Sequence, residues 1–458
     1  MIEDRRSLSL GVFLFLVLVL AFFALSVFRV GSVPEINIAP AMSVIGKRSP
    51  VKIEVVEPRR GLIRVKVELI QGDKSEVLVI RTYSSRSWLN VWGARNIRDT
   101  ISLDVGREAV PSLKAGTAVI RVTADRAGTW LRHPDPVVQE VSLPVRLTPP
   151  SLQTTSTQVY VAQGGCEVVS YRVGESAVRD GVRSGSWWFP GYPLPGAGKQ
   201  DRFAFFAVPY DISEPDVRLI TEDGAGNAAE MPFIDKFFPK PPHSDTIEVT
   251  DAFMAKVVPE ILSQSQEIQD RGNLLQNYLA INGELRKKNG DLLKELAAKS
   301  KPEFLWNKPF EMMPNGKVMS AFADRRTYQY KGRVIDHQDH LGYDLAVTRQ
   351  SPVPSANDGV VVSAQFFGIF GNAVLVDHGY GIMSLYGHLS SISVSAGQKV
   401  VRGDILGKTG ETGLAGGDHL HFTILLQGLP VNPVEWWDGH WIRDRIAKKL
   451  GPSFHFGE

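Results

Sequence analysis

A run of 21 uncharged, mostly apolar residues near the N-terminus, residues 8–28, is the feature that most restricts how this chain can fold. A helix needs about 20 such residues to cross a bilayer. The alternative is a secretory signal, whose apolar region is usually about 7–15 residues long and ends at a small-residue cleavage site. Ala24-Leu25-Ser26 matches such a site poorly. We therefore expect residues 1–32 to form a cytoplasmic stub and an uncleaved transmembrane anchor.

The charges that flank this run predict its orientation. Arg5 and Arg6 precede it and Arg29 follows it. Basic residues next to a membrane span tend to stay in the cytoplasm. We expect a single-pass protein of the cytoplasmic membrane with most of the chain on the extracytoplasmic side, periplasmic or facing the cell wall.

Composition argues against nucleic-acid binding and rules out intramolecular disulfides. The 51 basic and 49 acidic residues leave a formal charge of +2, and nucleic-acid binding would need a strongly basic surface. Cys166 is the only cysteine, so no intramolecular disulfide can form. A length of 458 residues is typical of about three domains, and 43% hydrophobic content is enough for packed cores.

Period-two alternation predicts β-structure between the anchor and residue 243. Ile63, Val65, Val67 and Leu69 alternate with charged residues, and residues 118–124 show a similar pattern. Further strands are expected near residues 166–173, 203–208 and 217–222. Residues 148–150, Thr-Pro-Pro, indicate a joint. We interpret residues 33–147 and 148–243 as two immunoglobulin-like β-sandwich modules that serve as spacers.

The pattern becomes helical at residues 251–299. Ile261, Ile268 and Leu275 recur at intervals of seven, which predicts an amphipathic arm within residues 244–305. Gly272, Gly283 and Gly290 weaken one long helix and favour a hairpin that turns near residues 282–289. The apolar stripe could pack on a neighbouring domain, or it could bind a protein partner in the cell envelope.

The C-terminal part of the chain carries a set of metal-ligand spacings. They are His340-Leu-Gly-Tyr-Asp344, Tyr386-Gly-His388-Leu389 and His419-Leu-His421-Phe422. Catalytic zinc sites use three protein ligands and keep a fourth position open for water. His419 and His421 are two apart in an apolar run, so both side chains leave the same face of a strand. One can bind metal while the other faces the substrate.

Proton transfer at such a site needs its own residues. The chain has no His-Glu-x-x-His string, in which a glutamate acts as the base. His388 and His419 are the candidates, because a neutral imidazole accepts a proton and an imidazolium stabilises an oxyanion. We expect no ligand role for the four other C-terminal histidines, His337, His378, His440 and His455.

Residues 316–437 resemble the lysostaphin/LytM-type zinc endopeptidases. By motif, the resemblance implies that one zinc ion is bound by His340, Asp344 and His421, and that His388 and His419 are catalytic. It also implies a mainly antiparallel β domain, which we place at residues 306–442, followed by a tail at 443–458. Asp418, where the family often has proline, adds a charge beside the site.

The chain is therefore predicted to be multidomain and mainly β, with a C-terminal zinc metalloendopeptidase that hydrolyses peptide cross-links of bacterial peptidoglycan. Three alternatives stay open. In the first, the domain is catalytically silent and activates another cell-wall hydrolase. In the second, the immunoglobulin-like modules are the main purpose and tether envelope components. In the third, the domain is a peptidase of envelope proteins.

Overall fold

The computed structural model describes residues 2–85 and 92–457. The chain divides into two compact units. The first unit comprises Met1–Pro150, Ser176–Val178 and Glu222–Ala229; the second comprises Ser151–Glu175, Arg179–Thr221 and Glu230–Glu458. The domain boundaries expected from the sequence stay predictions.

The N-terminal apolar run forms a helix, Ile2–Phe28. Its stretch Leu10–Phe28 is 19 residues long and only 6% buried, so it is long and apolar enough to cross a membrane. A signal sequence would look the same. The end of the helix is held by the first unit, where the Trp130 indole donates to the Ser26 hydroxyl at 2.8 Å.

The first unit contains two antiparallel sheets that share one core. Val65, Val67, Ile120 and Val122 are fully buried in it, as the alternating pattern predicts. The immunoglobulin-like topology stays a prediction. In sheet order, the strands are Glu35–Pro40, Ser49–Val56 and Arg98–Val105 in one sheet, and Lys74–Thr82, Leu62–Gln71, Gly116–Arg126 and Val137–Val145 in the other.

The second β region forms three further sheets. The first has the strands Tyr192–Pro193, Asp201–Ala207, Cys166–Val173 and Leu152–Thr154. The second has Trp187–Pro190, Ala177–Ser184, Val217–Asp223 and Ala228–Met231. The third pairs Lys236–Phe238 with Tyr160–Ala162 in parallel.

The helical arm is a hairpin, but its turn is not where the sequence predicts. The helices are Asp251–Gln264, Leu274–Ala280 and Arg286–Ala297, with a π-helical segment Ile281–Leu285 joining the last two. The chain turns at residues 265–273 instead, where Gly272 has a φ of +84° and Asn273 caps the next helix.

Packing explains why the helix continues past Gly283. Tyr278, Ile281 and Leu285 are fully buried in one core with residues of the first helix and of neighbouring strands. This tertiary burial outweighs the low helix propensity of glycine. The apolar stripe of the arm is thus buried within the second unit.

The C-terminal part of the chain is built on one large sheet with two smaller ones. In order, the strands of the large sheet are Lys317–Ser320, Tyr343–Ala346, Leu420–Leu426, Ile382–Leu389, Asn372–Gly379, Gly359–Phe366 and Lys399–Val400, and Leu429–Val431 also pairs with Leu420–Leu426. One small sheet has Ser244–Glu248, Asp324–Tyr330 and Arg333–His340; the other has Pro352–Pro354, Ile405–Lys408 and Ser391–Ile392.

Short helices follow the sheets and complete this part of the chain. They are the 3₁₀ turn Gly368–Phe370, the α-helices Pro433–Trp437, Gly439–Trp441 and Lys448–Leu450, the π-helix Ile442–Ala447 and the 3₁₀ turn Gly451–Ser453.

Strand register brings distant parts of the sequence together. Asp344 lies opposite His421, and His421 lies opposite Gly387, so three strands meet at these positions. His340 ends the adjacent strand Arg333–His340 and is separated from Asp344 by a tight turn at Leu341-Gly342.

A buried carboxyl group lies within the second unit. The Cys166 amide donates to Oε2 of Glu435 at 2.7 Å, and a Cβ added at Gly165 would come within 2.3 Å of Oε1. Burial, reinforced by the charge of Glu167, raises the pKa of Glu435 to about 8.

This carboxyl should make stability depend on pH. Because the pKa of Glu435 is about 8 in the fold and about 4.5 in the unfolded chain, the stabilising proton is fully bound below pH 4.5 and is lost as the pH rises through 8. We expect the free energy of unfolding to fall by on the order of 2–4 kcal/mol over this range. Glu435→Gln should remove most of this dependence in thermal unfolding measured from pH 5 to 9.

The matched control is Glu303→Gln, because the Glu303 side chain is 57% exposed. An identical pH dependence in Glu435→Gln and the parent chain would contradict the assignment.

Candidate metal centre

Three side-chain atoms converge at the end of the large sheet. Oδ1 of Asp344 lies 2.9 Å from Nε2 of His340 and 2.9 Å from Nδ1 of His421, and these two nitrogens are 3.1 Å apart. Their side chains are 14%, 5% and 7% exposed, respectively. The structure therefore brings together the three residues that the sequence predicts as ligands.

Backbone and hydroxyl groups determine which imidazole nitrogens carry protons. Nδ1 of His340 is 2.9 Å from the carbonyl oxygen of Ala321, which can only accept, so Nδ1 is the protonated nitrogen. Nε2 of His421 is 3.0 Å from the Thr423 hydroxyl, whose own proton goes to the Leu341 carbonyl at 2.8 Å. Nε2 of His421 must therefore donate.

When both rings are neutral, as metal ligands are, this assignment leaves lone pairs, and no proton, between the three converging atoms. Nε2 of His340 and Nδ1 of His421 are both unprotonated, and both face a carboxylate oxygen. Three acceptors this close repel one another unless a cation lies among them. The residues thus fit a divalent metal ion, and two imidazoles with one carboxylate are a donor set that suits zinc.

Asp344 also has a partner on its other oxygen. Nη2 of Arg326 donates to Oδ2 of Asp344 at 3.0 Å and to the Ser320 hydroxyl at 2.8 Å. This contact holds Oδ1 towards the two imidazoles. Outer partners of this kind orient metal ligands and tune their basicity.

His388 and His419 lie beside the three ligands. Their ring centroids are 4.8 Å apart, and Nε2 of His419 is 3.4 Å from Oδ1 of Asp344. Nδ1 of His388 donates to the Thr412 carbonyl at 2.8 Å, and Nδ1 of His419 donates to the Gly417 carbonyl at 2.8 Å. In both rings the second nitrogen, Nε2, is therefore available for proton transfer at the site.

The backbone at His388 is strained. Its φ is +62°, a left-handed conformation that residues other than glycine occupy uncommonly, although histidine, like asparagine and aspartate, does so more often than most. Such strain is tolerated where the surrounding structure holds a residue in a functional position. A Cβ added at the preceding Gly387 would lie 3.4 Å from the Phe370 carbonyl oxygen and 3.5 Å from the Cβ of His421, which is ordinary van der Waals contact.

The electrostatics before a cation is bound separate the roles of the histidines. Burial, and then the charges of His419 and His421, hold the pKa of His388 well below its ordinary value, so this ring is neutral. Burial lowers the pKa of His421 to about 4, which suits a ligand nitrogen. Burial opposes protonation of His419 as well, but the nearby Asp344 carboxylate raises its pKa.

The pKa of the Asp344 carboxyl group is also shifted. Burial alone would raise the pKa of Asp344, but the neighbouring His340, His419 and His421 hold it well below its ordinary value. Asp344 is therefore ionised.

A cavity of about 350 Å³ opens onto these residues. All five predicted site residues line it, together with Phe370 and Leu414 from loops and Phe253, Tyr278 and Arg286 from the helical arm. One wall of the site therefore comes from residues that lie between 54 and 87 positions before His340 in the sequence.

The other C-terminal histidines lie apart from the three ligands. His378 is fully buried, with Nδ1 2.6 Å from the Asp358 carbonyl and Nε2 2.8 Å from the Ser384 hydroxyl. His337 contacts Thr327, His440 contacts Arg443, and His455 is exposed. Asp418 accepts from the Gln350 amide at 3.2 Å, so its charge is directed towards Gln350.

Sequence reasoning missed the residues that hold the ligands. Thr423 could have been found, because it lies two residues after His421 and shares its strand face. The carbonyls of Ala321, Thr412 and Gly417 carry no signal in residue type. Asp324 is a further case, because its carboxylate accepts from the Ala321 amide at 2.8 Å and so fixes the loop that holds His340.

The fold and these donors define a metallopeptidase-type site, and comparison with known proteins gives the family. Residues 338–433 match the model of Peptidase family M23, so the chain carries an M23 peptidase domain near its C-terminal end.

Two curated bacterial proteins are similar over this part of the chain. The peptidoglycan DD-endopeptidase ShyA of Vibrio cholerae is 35% identical over 185 residues, which cover 39% of this chain and 40% of ShyA. The DD-carboxypeptidase/endopeptidase Mpg of Neisseria meningitidis is 41% identical over 95 residues, 21% of this chain and 22% of Mpg. The match thus spans less than half of either relative.

Among solved structures, a protein from Pseudomonas aeruginosa described as a peptidase M23 is 23% identical, with a TM-score of 0.37, and the match covers 60% of this chain and 94% of that one. The catalytic domain of lysostaphin from Staphylococcus simulans is 26% identical, with a TM-score of 0.24, covering 27% of this chain and 92% of that domain.

The hydrogen bond from His421 to Thr423 makes a testable contribution to metal binding. Thr423→Val keeps the side-chain shape but removes the acceptor that fixes the His421 tautomer. We expect zinc affinity to fall about 10- to 100-fold, measured by competition with a chromophoric chelator. Thr327→Val is the matched control, because the Thr327 hydroxyl contacts His337, which is not one of the three proposed ligands. Equal affinities in both variants would contradict the role of Thr423.

Proposed function

We propose that this chain is a membrane-anchored zinc metalloendopeptidase that hydrolyses peptide cross-links of bacterial cell-wall peptidoglycan. The observation that carries the proposal is the convergence of three unprotonated acceptors, His340 Nε2, Asp344 Oδ1 and His421 Nδ1, within 3.1 Å of one another. The similarity to ShyA, a peptidoglycan DD-endopeptidase, supports the substrate.

In this proposal His340, Asp344 and His421 hold one zinc ion, which would supply Lewis acidity and lower the pKa of water at the site. His388 is neutral and its Nε2 is free, so it accepts the proton of the attacking water. His419, whose pKa is raised, donates from Nε2 to the developing oxyanion or to the leaving nitrogen. Water attacks the carbonyl directly, so no acyl-enzyme forms.

The proposed location follows from the N-terminal helix. Leu10–Phe28 remains in the cytoplasmic membrane, Arg5 and Arg6 stay inside, and the rest of the chain is extracytoplasmic. The first β region, residues 33–147, acts as an immunoglobulin-like spacer between the membrane and the peptidase. Intact-mass analysis of the membrane-extracted protein tests the anchor, because signal cleavage would remove about 3 kDa.

Separate variants distinguish metal binding from proton transfer. His340→Ala should lose both zinc and activity. His388→Asn should keep zinc but lower kcat by about 10²- to 10⁴-fold, because it removes the proton acceptor. Asparagine is chosen because it tolerates the positive φ at this position. The readouts are zinc content and the peptides released from purified sacculi, identified by mass spectrometry.

His337→Ala is the matched control, because this histidine lies outside the cavity lining. It should match the parent chain in both readouts. Full activity of His388→Asn would contradict its assigned role.

The same assay separates the alternatives. A catalytically silent domain that activates another hydrolase would leave sacculi intact even when loaded with zinc. A peptidase of envelope proteins would degrade casein and leave sacculi intact. The five occupied site positions favour catalysis.

A further inference from the structure

Two guanidinium groups line the same cavity as the metal site. Arg326 comes from the strand Asp324–Tyr330, and Arg286 comes from the arm helix Arg286–Ala297. Neither belongs to the ligand or catalytic motifs in the sequence. Both cations lie where a substrate would enter.

Hydrogen-bonding capacity remains on both arginines. Arg326 uses Nη2 on Asp344 and Ser320, but its buried Nε has no hydrogen-bond partner in the described part of the chain. Arg286 donates from Nε to the Asn282 carbonyl at 3.0 Å and from Nη2 to Oδ1 of Asn282 at 2.7 Å. Within residues 2–85 and 92–457, its Nη1 makes no hydrogen bond.

A second buried donor among the cavity-lining residues is also unsatisfied. Tyr278 is fully buried, and its hydroxyl has no hydrogen-bond partner among the described residues. Buried polar groups are nearly always paired in folded proteins, so an unpaired one calls for an explanation. The side chains of Arg326, Arg286 and Tyr278 all line the same cavity.

The charge balance favours an anion as the missing partner. Burial lowers the pKa of Arg286, and the nearby positive charge of Arg326 adds to this shift, whereas neighbouring tyrosines and Asp336 oppose it. The anionic groups that line the cavity are Asp344, which is committed to the metal site, and Glu248, which is exposed. With a divalent ion among the ligands, the cavity is net positive.

We infer that Arg286, Arg326 and Tyr278 form a subsite for a substrate carboxylate on the carbon that bears the scissile amide nitrogen. This inference rests on the proposed function and names its substrate class. Such a carboxylate lies within about 4 Å of the attacked carbonyl carbon, and Arg326 already contacts the metal ligand Asp344 at 3.0 Å. A cross-link to a diacid residue carries this carboxylate, whereas the interior of a glycine bridge does not.

The experiment uses two synthetic cross-linked peptides that differ only at this group, one with a free carboxylate and one with a carboxamide. We expect the zinc-loaded full chain in detergent to prefer the carboxylate by at least about tenfold in kcat/KM, since hydrogen bonds to charged groups are the stronger ones. Equal rates on the two peptides would overturn the inference.

Two variants test the residues separately from folding. Arg286→Met keeps an unbranched, flexible side chain but removes the guanidinium group, and Tyr278→Phe removes only the hydroxyl. Each should raise KM for the carboxylate peptide several-fold to about tenfold while leaving the carboxamide peptide unchanged. Arg271→Met, on the same arm but outside the cavity lining, is the control and should change neither. Equal losses on both peptides would mean that Arg286 and Tyr278 are merely structural.

A binding measurement keeps this inference separable from the proposed function. Calorimetry of the metal-free chain with the product peptide should show tighter binding of the carboxylate form than of the carboxamide. That preference without hydrolysis of either cross-link would support the subsite and overturn the proposed catalysis. Hydrolysis without this binding preference would support the proposed catalysis and overturn the subsite.

Discussion

The mutual approach of His340 Nε2, Asp344 Oδ1 and His421 Nδ1 is the constraint on which the rest of the site depends. The three atoms lie within 3.1 Å of one another with no proton between them. The protons are elsewhere, on Nδ1 of His340 and Nε2 of His421, because the Ala321 carbonyl and the Thr423 hydroxyl accept them there. Only a cation makes this arrangement favourable.

The fold supplies that arrangement through strand register. Asp344 and His421 lie opposite each other on paired strands, and His421 lies opposite Gly387, which places His388 next to them. A shift of one residue in either pairing would turn a ligand to the other face of the sheet. The large buried sheet therefore does more than fill the core, because its register positions the ligands.

The arm adds a second wall to the same cavity. Its apolar face is buried with Tyr328 and Ile369 of the peptidase part, so the arm and the site belong to one packed core. Arg286 and Tyr278 reach the cavity from this arm. Substrate recognition and proton transfer are thus assigned to different segments of the chain.

The motifs His-x-x-x-Asp, Gly-His and His-x-His, with the family resemblance that they carry, pointed to five residues that line one cavity. Their roles as ligands and catalysts stay predictions. The alternation at Val65 and Val67 likewise predicted a buried strand face. The turn of the arm was misplaced, because burial of Ile281 and Leu285 keeps Gly283 helical. The carbonyls that orient the histidines, and the contribution of Arg286, depend on contacts between distant segments that no local pattern shows.

The central claim is that one metal ion lies among these three ligands. An anomalous difference map at the zinc edge, from crystals of the purified chain, tests it most directly. The account predicts a single strong peak in contact with His340 Nε2, Asp344 Oδ1 and His421 Nδ1. No peak at this position after loading with zinc, or a peak bound instead by His388 and His419, would contradict it.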